Sequence, residues 1–180
     1  MKLFFKFIVL IILIFPGAGK AQSVTQPDSL LNKLIGTWTL TGTIENKETT
    51  HDVVVERVLN GQYIQLREVS REKDKAGNAL YNAIVYLTWQ KTKKEYDCLW
   101  LDNTSNEGLS NGIIGHAKQQ ADKIELIFRY NDTTQFHTTF LYDGNTDTWQ
   151  WLMDEDDNGK LQPFARLKMT RNKSNIHPVQ

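Results

Sequence analysis

The feature that most constrains this chain is a regular series of turn signals that begins after residue 36. Between the turns, apolar and polar residues alternate over short segments, which is the pattern of half-buried β-strands. The first segment, residues 36–44, alternates strictly from Trp38 onward. Asn60-Gly61 is the strongest hairpin signal, because a type I′ turn requires positive φ at both central residues. The spacing predicts ten antiparallel strands between residues 36 and 171.

Consecutive strands joined by short turns form a meander, and a meander of this size is expected to close because closure removes exposed edge strands. Ahead of the strands, Leu30, Leu31, Leu34 and Ile35 form one apolar stripe at helical spacing. The sequence therefore predicts an all-β fold. We expect a closed up-and-down barrel of about ten strands, preceded by a short helix that ends at Gly36.

Residues 1–21 have the composition of a secretory signal peptide. Lys2 and Lys6 precede an apolar run over residues 7–15, and small residues lead up to Ala21. The run is shorter than the roughly 20 apolar residues of a membrane-spanning helix, although a retained N-terminal anchor is the alternative interpretation. We expect cleavage after Ala21, a single domain over residues 22–180, and a secreted or periplasmic protein.

The charge balance limits the classes of partner. Without residues 1–21, the chain has 18 basic and 21 acidic residues. Such a weak, mixed balance argues against nucleic acid and anionic membrane surfaces as partners. We expect no stable membrane insertion after signal cleavage, and no protein partner is predictable. Cys98 is the only cysteine, so no intrachain disulfide forms.

Gly36-Thr37-Trp38, at the start of the first strand and after a short helix, resembles the opening of lipocalins and their calycin relatives. Further pieces are similar to a family of lipocalin-like bacterial domains of unknown function, and together they span residues 34–171. These pieces are Leu59-Asn60-Gly61-Gln62-Tyr63-Ile64, Trp100-Leu101-Asp102 and Met169-Thr170-Arg171.

The resemblance implies roles for particular residues and for the whole fold. In such barrels the Trp of the first strand fills the closed end, and a basic residue late in the chain packs across it. Arg171 matches that position through stacking and cation–π contact, with Arg166 as the alternative. The resemblance also implies a protein that binds a small, largely apolar molecule inside the barrel. A few relatives bind haem, and a few are enzymes.

Strand alternation predicts which side chains lie inside the barrel, although neither face of several strands is clearly polar. An interior lined by aromatic residues and a few polar groups suits a small organic ligand. The alternative is that these aromatic residues simply fill the barrel. The predicted ligand-binding residues are Trp38, Leu40, Tyr81, Val85, Trp100, Asp102, Phe140, Trp151 and Met153.

Two alternative functions use the same interior. In the first, the protein is an enzyme in which Asp102 acts as an acid or base and Tyr81 as a donor. A simpler interpretation of Asp102 is that it caps the turn after the fifth strand. In the second, His137 ligates a haem iron, although Gln135 and Thr139 on the same strand face favour a solvent-exposed position.

The sequence contains no other motif that indicates chemistry. It has no H-x-H, H-E-x-x-H or C-x-x-C spacing for a metal, and no G-x-S-x-G or Gly-rich phosphate loop. Residues 154–159 resemble the opening of a calcium loop, but Ala165 stands where the bidentate Glu is needed, so we expect a hairpin turn. The sequence therefore predicts no catalytic residues, no metal and no cofactor, and it favours a binding protein over an enzyme.

Overall fold

The computed structural model describes residues 28–104, 109, 113–118 and 120–172. The predicted signal peptide lies outside these residues. Within them, one short helix precedes ten strands. The elements are α1 (Asp28–Leu34), β1 (Gly36–Ile44), β2 (Lys47–Val58), β3 (Tyr63–Ser70), β4 (Asn82–Gln90), β5 (Glu95–Asp102), β6 (Ile114–Lys118), β7 (Lys123–Arg129), β8 (Thr134–Asp143), β9 (Thr148–Asp157) and β10 (Lys160–Arg171).

The ten strands form one closed antiparallel barrel. Each strand pairs with its neighbours in sequence, and β1 pairs with β10 to complete the ring. The predicted all-β barrel with a short N-terminal helix is therefore confirmed. None of the helices among the described residues combines the length and apolar character that crossing a membrane requires.

The strands differ from the predicted segments mainly where turns are tighter than expected. Glu45 and Asn46 have φ values of 48° and 62° and form a two-residue turn between β1 and β2. As a result β2 begins at Lys47, directly after the turn. The acidic residues of the apparent calcium loop belong to β9, and only Asn158 and Gly159 form the turn before β10.

Alternate residues of each strand point inward and form one continuous core. Four of the residues predicted to lie inside, Leu40, Val85, Phe140 and Trp151, are fully buried. Phe140 packs against Trp151 with ring centroids 4.6 Å apart. This part of the interior is filled by side chains.

One end of the barrel is closed by Trp38, α1, Arg171 and Asp147, and we call it the Trp38 end. Trp38 is fully buried, and its Nε1 donates a hydrogen bond to the carbonyl oxygen of Leu34 at 2.7 Å. The Arg171 guanidinium lies over the indole, 3.9 Å from its centroid. The predicted stacking of Arg171 on Trp38 is thus confirmed. Arg166 instead pairs with Asp154.

The same contact explains the glycine of the Gly36-Thr37-Trp38 motif. Gly36 has a φ of 138°, and a Cβ placed there would lie 2.3 Å from Nη1 of Arg171. That Nη1 donates to the carbonyl oxygen of Ile35 at 2.7 Å. A side chain at position 36 would therefore displace the guanidinium that covers Trp38.

Candidate ligand cavity

A cavity of about 1140 Å³ opens at the end of the barrel opposite Trp38, and we call it the barrel cavity. Its wall consists of inward side chains near the strand ends, together with residues of the loops that connect strands at this end. Much of the wall is aromatic, contributed by Tyr81, Trp100, Phe128, Tyr130, Phe136 and Phe164.

A buried pair of titratable side chains forms part of the cavity wall. His51 on β2 and Glu68 on β3 are 2% and 1% exposed, and Nδ1 of His51 lies 2.5 Å from Oε1 of Glu68. The ring of Tyr81 stacks on the His51 imidazole, with centroids 5.6 Å apart. Ionised groups are rarely buried without a partner, so the two side chains are best understood as one unit.

The proton positions around His51 follow from its other neighbours. Glu72 Oε1 accepts from the Thr50 N–H at 3.0 Å, and its Oε2 accepts from the Thr49 hydroxyl at 3.1 Å. Burial raises the pKa of Glu72, but the hydrogen bonds it accepts from backbone N–H groups and Thr49 outweigh this and lower its pKa. Because the Thr49 proton goes to Glu72, the Thr49 oxygen accepts from Nε2–H of His51, 2.7 Å away.

With Nε2 of His51 donating to Thr49, a single proton bridges Nδ1 of His51 and Oε1 of Glu68. Burial raises the pKa of Glu68, and the hydrogen bond to His51 opposes that shift only in part. Whichever atom holds the bridging proton, the second carboxyl oxygen, Oε2, remains a hydrogen-bond acceptor. It is buried and has no hydrogen-bond partner among the described residues.

A second unpaired polar atom lies across the cavity. Thr138 on β8 is fully buried and lines the cavity, and its Oγ1 also has no hydrogen-bond partner among residues 28–104, 109, 113–118 and 120–172. In the ring of ten strands, β8 stands five places from β3, so Thr138 and Glu68 are on opposite walls. Buried polar groups are normally paired, so two unpaired ones on one cavity are unusual.

The predicted ligand-binding residues separate into two groups. Tyr81, Trp100, Asp102 and Met153 line the cavity. The remaining predicted residues belong to the buried core and are not among the cavity-lining residues; these are Trp38, Leu40, Val85, Phe140 and Trp151.

Asp102 combines the two interpretations considered for it. It lines the cavity, and its Oδ1 also accepts hydrogen bonds from the backbone N–H and the hydroxyl of Thr104, at 2.8 and 2.5 Å. Asp102 therefore caps the turn after β5 while facing the interior. Nearby, Trp100 Nε1 donates to the Tyr81 hydroxyl at 3.2 Å. Burial, together with the carboxylates of Glu68 and Asp102, raises the pKa of Tyr81, so this hydroxyl stays protonated.

Sequence reasoning missed His51 and Glu68, although a signal was present. His51 alternates with two buried valines on β2, and Glu68 alternates with Ile64 and Leu66 on β3. A titratable residue on the apolar face of a strand indicates a buried polar group. Their pairing depends on the register of β2 and β3, which places Val53 opposite Glu68.

His137 does not line the cavity. Its neighbours Thr138 and Phe140 show that the inward positions of β8 are the even-numbered ones, and the His137 ring lies between Glu125 and Asp156, 3.7 and 3.6 Å from their carboxylates. A haem held in the cavity would therefore not reach this ring. The proposed iron ligand is wrong because the residue lies on the outer face.

The cavity wall carries a strong excess of acidic groups. In the part of the chain that the structure describes, eight acidic residues line it, although the Asp156 side chain faces His137 on the outer surface; the basic lining residues are Lys47 and His51. Glu68 and Glu72 belong to the network described above, and the others lie around the mouth. The remaining acidic lining residues are Glu45, Glu48, Asp102, Glu155, Asp156 and Asp157.

Two other places in the structure were candidates for a site. Glu95, Asp97 and His116 bring potential ligand atoms within 4.8 Å of one another on the outer surface. Lys118 already lies 3.0 Å from Glu95, so this cluster has a cationic partner. A smaller cavity of about 670 Å³ lies between α1 and the turn after β2, where the Arg57 guanidinium donates to Asn32 and to the Gly61 carbonyl.

The fold and the cavity place the molecule in the class of closed antiparallel β-barrels with an internal cavity. It is similar in fold to the crystal structure of Rv2717c from M. tuberculosis, with a TM-score of 0.53. The two chains are 15% identical over 82% of this chain and 98% of the other, so the likeness shows the fold alone. No protein-family model matches the sequence, and neither does any curated protein.

Proposed function

We propose that the protein is a secreted, lipocalin-like barrel that binds a small, largely apolar molecule in the barrel cavity. The observation that carries this proposal is the cavity of about 1140 Å³ at one end of a barrel whose other end is closed. That volume is similar to the largest pockets that hold small organic ligands. The Gly36-Thr37-Trp38 opening supports the lipocalin-like class, and the composition of residues 1–21 supports secretion.

The side chains of the cavity wall favour an apolar occupant with a polar group. Trp100 is held in place by edge contacts with Phe128 and Trp151, at centroid distances of 6.1 and 5.7 Å. At the mouth, Leu80 and Leu109 are 56% and 79% exposed. An apolar molecule that enters the cavity would cover part of this surface, which stabilises the bound state by about 25 cal/mol per Å².

The proposal is tested with the fluorescent apolar probe N-phenylnaphthylamine. We expect the probe to bind and its emission to rise in the wild-type protein. Met153 is buried and lines the cavity, so Met153→Trp should reduce binding by occupying the space. Val54→Trp, on the outer face of β2, is the matched control and should bind as the wild type does. Equal binding by both variants would show that the probe does not enter the cavity.

A second test uses protein purified from its own host. Native mass spectrometry should reveal a co-purifying small molecule, and the mature chain should begin at Gln22 if residues 1–21 are removed on secretion. Protein that carries no small molecule and gains no thermal stability across a panel of lipids and tetrapyrroles would contradict ligand binding. An N-terminus at Met1 would contradict signal cleavage only.

The His51–Glu68 pair favours a second candidate function, an enzyme that transfers a proton to or from a molecule in the cavity. A buried carboxyl group with a raised pKa beside a histidine is a common arrangement for a general acid or base. This assigns the chemistry to Glu68 rather than to Asp102, which caps a turn. Deuterium incorporation from D₂O into a bound ligand, lost in Glu68→Gln, would establish this function; no incorporation would exclude it for that ligand.

A further inference from the structure

The hydrogen-bonding state of Glu68 limits the chemistry of a ligand in the barrel cavity. Oε1 is engaged with Nδ1 of His51, and Oε2 is a buried acceptor without a partner among the described residues, in both positions of the bridging proton. Leaving a buried acceptor unpaired is unfavourable, because the atom has lost its hydrogen bonds to water. A ligand group that carries an N–H or O–H would satisfy this atom, whereas a group that only accepts would leave it unpaired.

The charge of the cavity wall further limits the chemical class of the ligand. The acidic lining residues outnumber Lys47 and His51 and give the cavity a negative potential, even though Glu68 is itself paired with His51. A carboxylate or phosphate ligand would therefore meet like charges in a confined space, which is unfavourable. A cationic donor would meet opposite charges at the mouth and an unpaired acceptor at the wall.

Resting on the proposed ligand binding, we propose that the ligand of the barrel cavity is an apolar amine that binds as its ammonium ion and donates an N–H hydrogen bond to Oε2 of Glu68. The bridging proton can lie on Nδ1 of His51, which leaves Glu68 as the carboxylate that faces the ammonium group. The apolar body of the amine packs against the aromatic wall.

Two further features of the wall fit this class of ligand. The rings of Tyr81 and Trp100 belong to the wall, and aromatic rings attract a desolvated organic cation. Thr138 Oγ1, on the opposite wall, is a second buried polar atom without a partner among the described residues. The proposal therefore distinguishes this cavity from one that holds fatty acids, whose headgroup is an anion without donors.

The first test compares three ligands with one carbon skeleton. Binding of naphthylethylamine, naphthylethanol and naphthylacetate to the wild-type protein is measured by calorimetry at neutral pH and physiological ionic strength. We expect the amine to bind about tenfold more tightly than the alcohol, because a hydrogen bond to a charged group is stronger, and the carboxylate to bind weakest. A carboxylate that binds as tightly as the amine would overturn the proposal.

The second test removes the charge of the acceptor. Glu68→Gln should weaken amine binding by about tenfold or more and change alcohol binding much less. Glu56→Gln, an exposed residue on the outer face of β2, is the matched control and should leave all three affinities unchanged. Unchanged amine binding in folded Glu68→Gln would mean that water or another group satisfies Oε2, and it would overturn the proposal.

The outcomes separate this inference from the proposed function. One outcome is that Met153→Trp weakens the binding of N-phenylnaphthylamine while naphthylethylamine binds no more tightly than naphthylethanol. In that case the barrel binds ligands, and only the assignment of an ammonium group fails. If neither the probe nor any naphthyl compound binds, the proposed function itself fails. If Glu68→Gln does not fold, the order of the three ligands on the wild-type protein still decides the question.

Discussion

The two ends of the barrel bury polar groups in opposite ways. At the Trp38 end, Arg171 donates to the carbonyl oxygens of Lys33 and Ile35 and to both carboxylate oxygens of Asp147, and its cation covers Trp38. At the cavity end, Glu68 has one oxygen paired with His51 and the other without a partner among the described residues.

The difference indicates that the hydrogen bonds around Arg171 are complete, although Trp149 Nε1 at the same end is buried without a partner among the described residues, whereas those around Glu68 are incomplete. A complete network contributes to stability, because removing one member leaves the others unpaired. An incomplete network around a cavity contributes less to stability and more to recognition of a ligand. Substitutions at the Trp38 end should therefore lower the free energy of unfolding, whereas substitutions at the cavity should mainly change binding and pH dependence.

The largest effect is expected for Trp38→Ala. Trp38 is fully buried against the core and α1, so its removal should lower the free energy of unfolding by about 3–5 kcal/mol. Trp100→Ala is the matched control, because Trp100 faces the cavity, is only partly buried and leaves a smaller new void. Chemical denaturation measures both. Equal losses would show that the two ends do not differ in packing.

The next effect concerns the cation at the Trp38 end. Arg171→Gln removes the cation–π contact and leaves the carbonyl oxygens of Lys33 and Ile35 without their donor, so we expect a loss of about 2 kcal/mol. Arg166→Gln is the control, since Arg166 also donates to two carbonyl oxygens, those of Met153 and Ala165, and pairs with Asp154, but has no cation–π contact among the described residues, so its loss should be smaller. A larger loss from Arg166→Gln would contradict the assignment.

Gly36→Ala should lower the free energy of unfolding by about 1–2 kcal/mol. One cause is the positive φ at this position, which is strained for alanine, and the other is displacement of the Arg171 guanidinium by the new Cβ. The two causes separate in a double-mutant cycle with Arg171→Gln. In the Arg171→Gln background, Gly36→Ala should cost less, because Nη1 no longer occupies the position of the new Cβ. Additive losses would mean that the glycine is required for its φ alone.

The sequence predicts the strands and the Trp38 end of the barrel better than it predicts the cavity end. The strand order and the helix follow from the alternation of apolar and polar residues and from the turn residues. The stacking of Arg171 on Trp38 follows from the resemblance to lipocalins, in which a late basic residue packs across the Trp of the first strand. Strands, turns and the helix are visible in the sequence because each depends on residues that are close together in the chain. Asp154 to Asp157 could not be placed in β9 from their composition, because strand pairing outweighs the turn preference of acidic residues.

The cavity could not be predicted, because hollow and filled levels of the barrel use the same aromatic residues. Trp100 and Trp151 are in edge contact, yet one lines the cavity and the other belongs to the filled core. Alternation places both inside and carries no information on depth. The His51–Glu68 pair was missed for a related reason: residues 17 positions apart meet only through the β2–β3 register.

The remaining expected effect on stability is at the cavity end and depends on pH. Burial raises the pKa of folded Glu68, and the ordinary value is 4.5. Below that value both states bind the proton, and the stabilisation is fully present. As pH rises above it, unfolded Glu68 loses its proton while the folded His51–Glu68 pair keeps the bridging proton, so the contribution of this carboxyl group to the free energy of unfolding falls by up to about 1.4 kcal/mol per pH unit until the folded pKa is passed.

Glu68→Gln removes this dependence, since the amide does not titrate, while His51, Tyr81 and Asp102, which also face position 68, remain. The difference in unfolding free energy between the wild type and the variant should therefore decrease as pH rises from about 4.5, and urea denaturation across a pH series measures it. A difference that increases with pH would show that burial does not govern this carboxyl group. The cavity end would then be as completely paired as the Trp38 end.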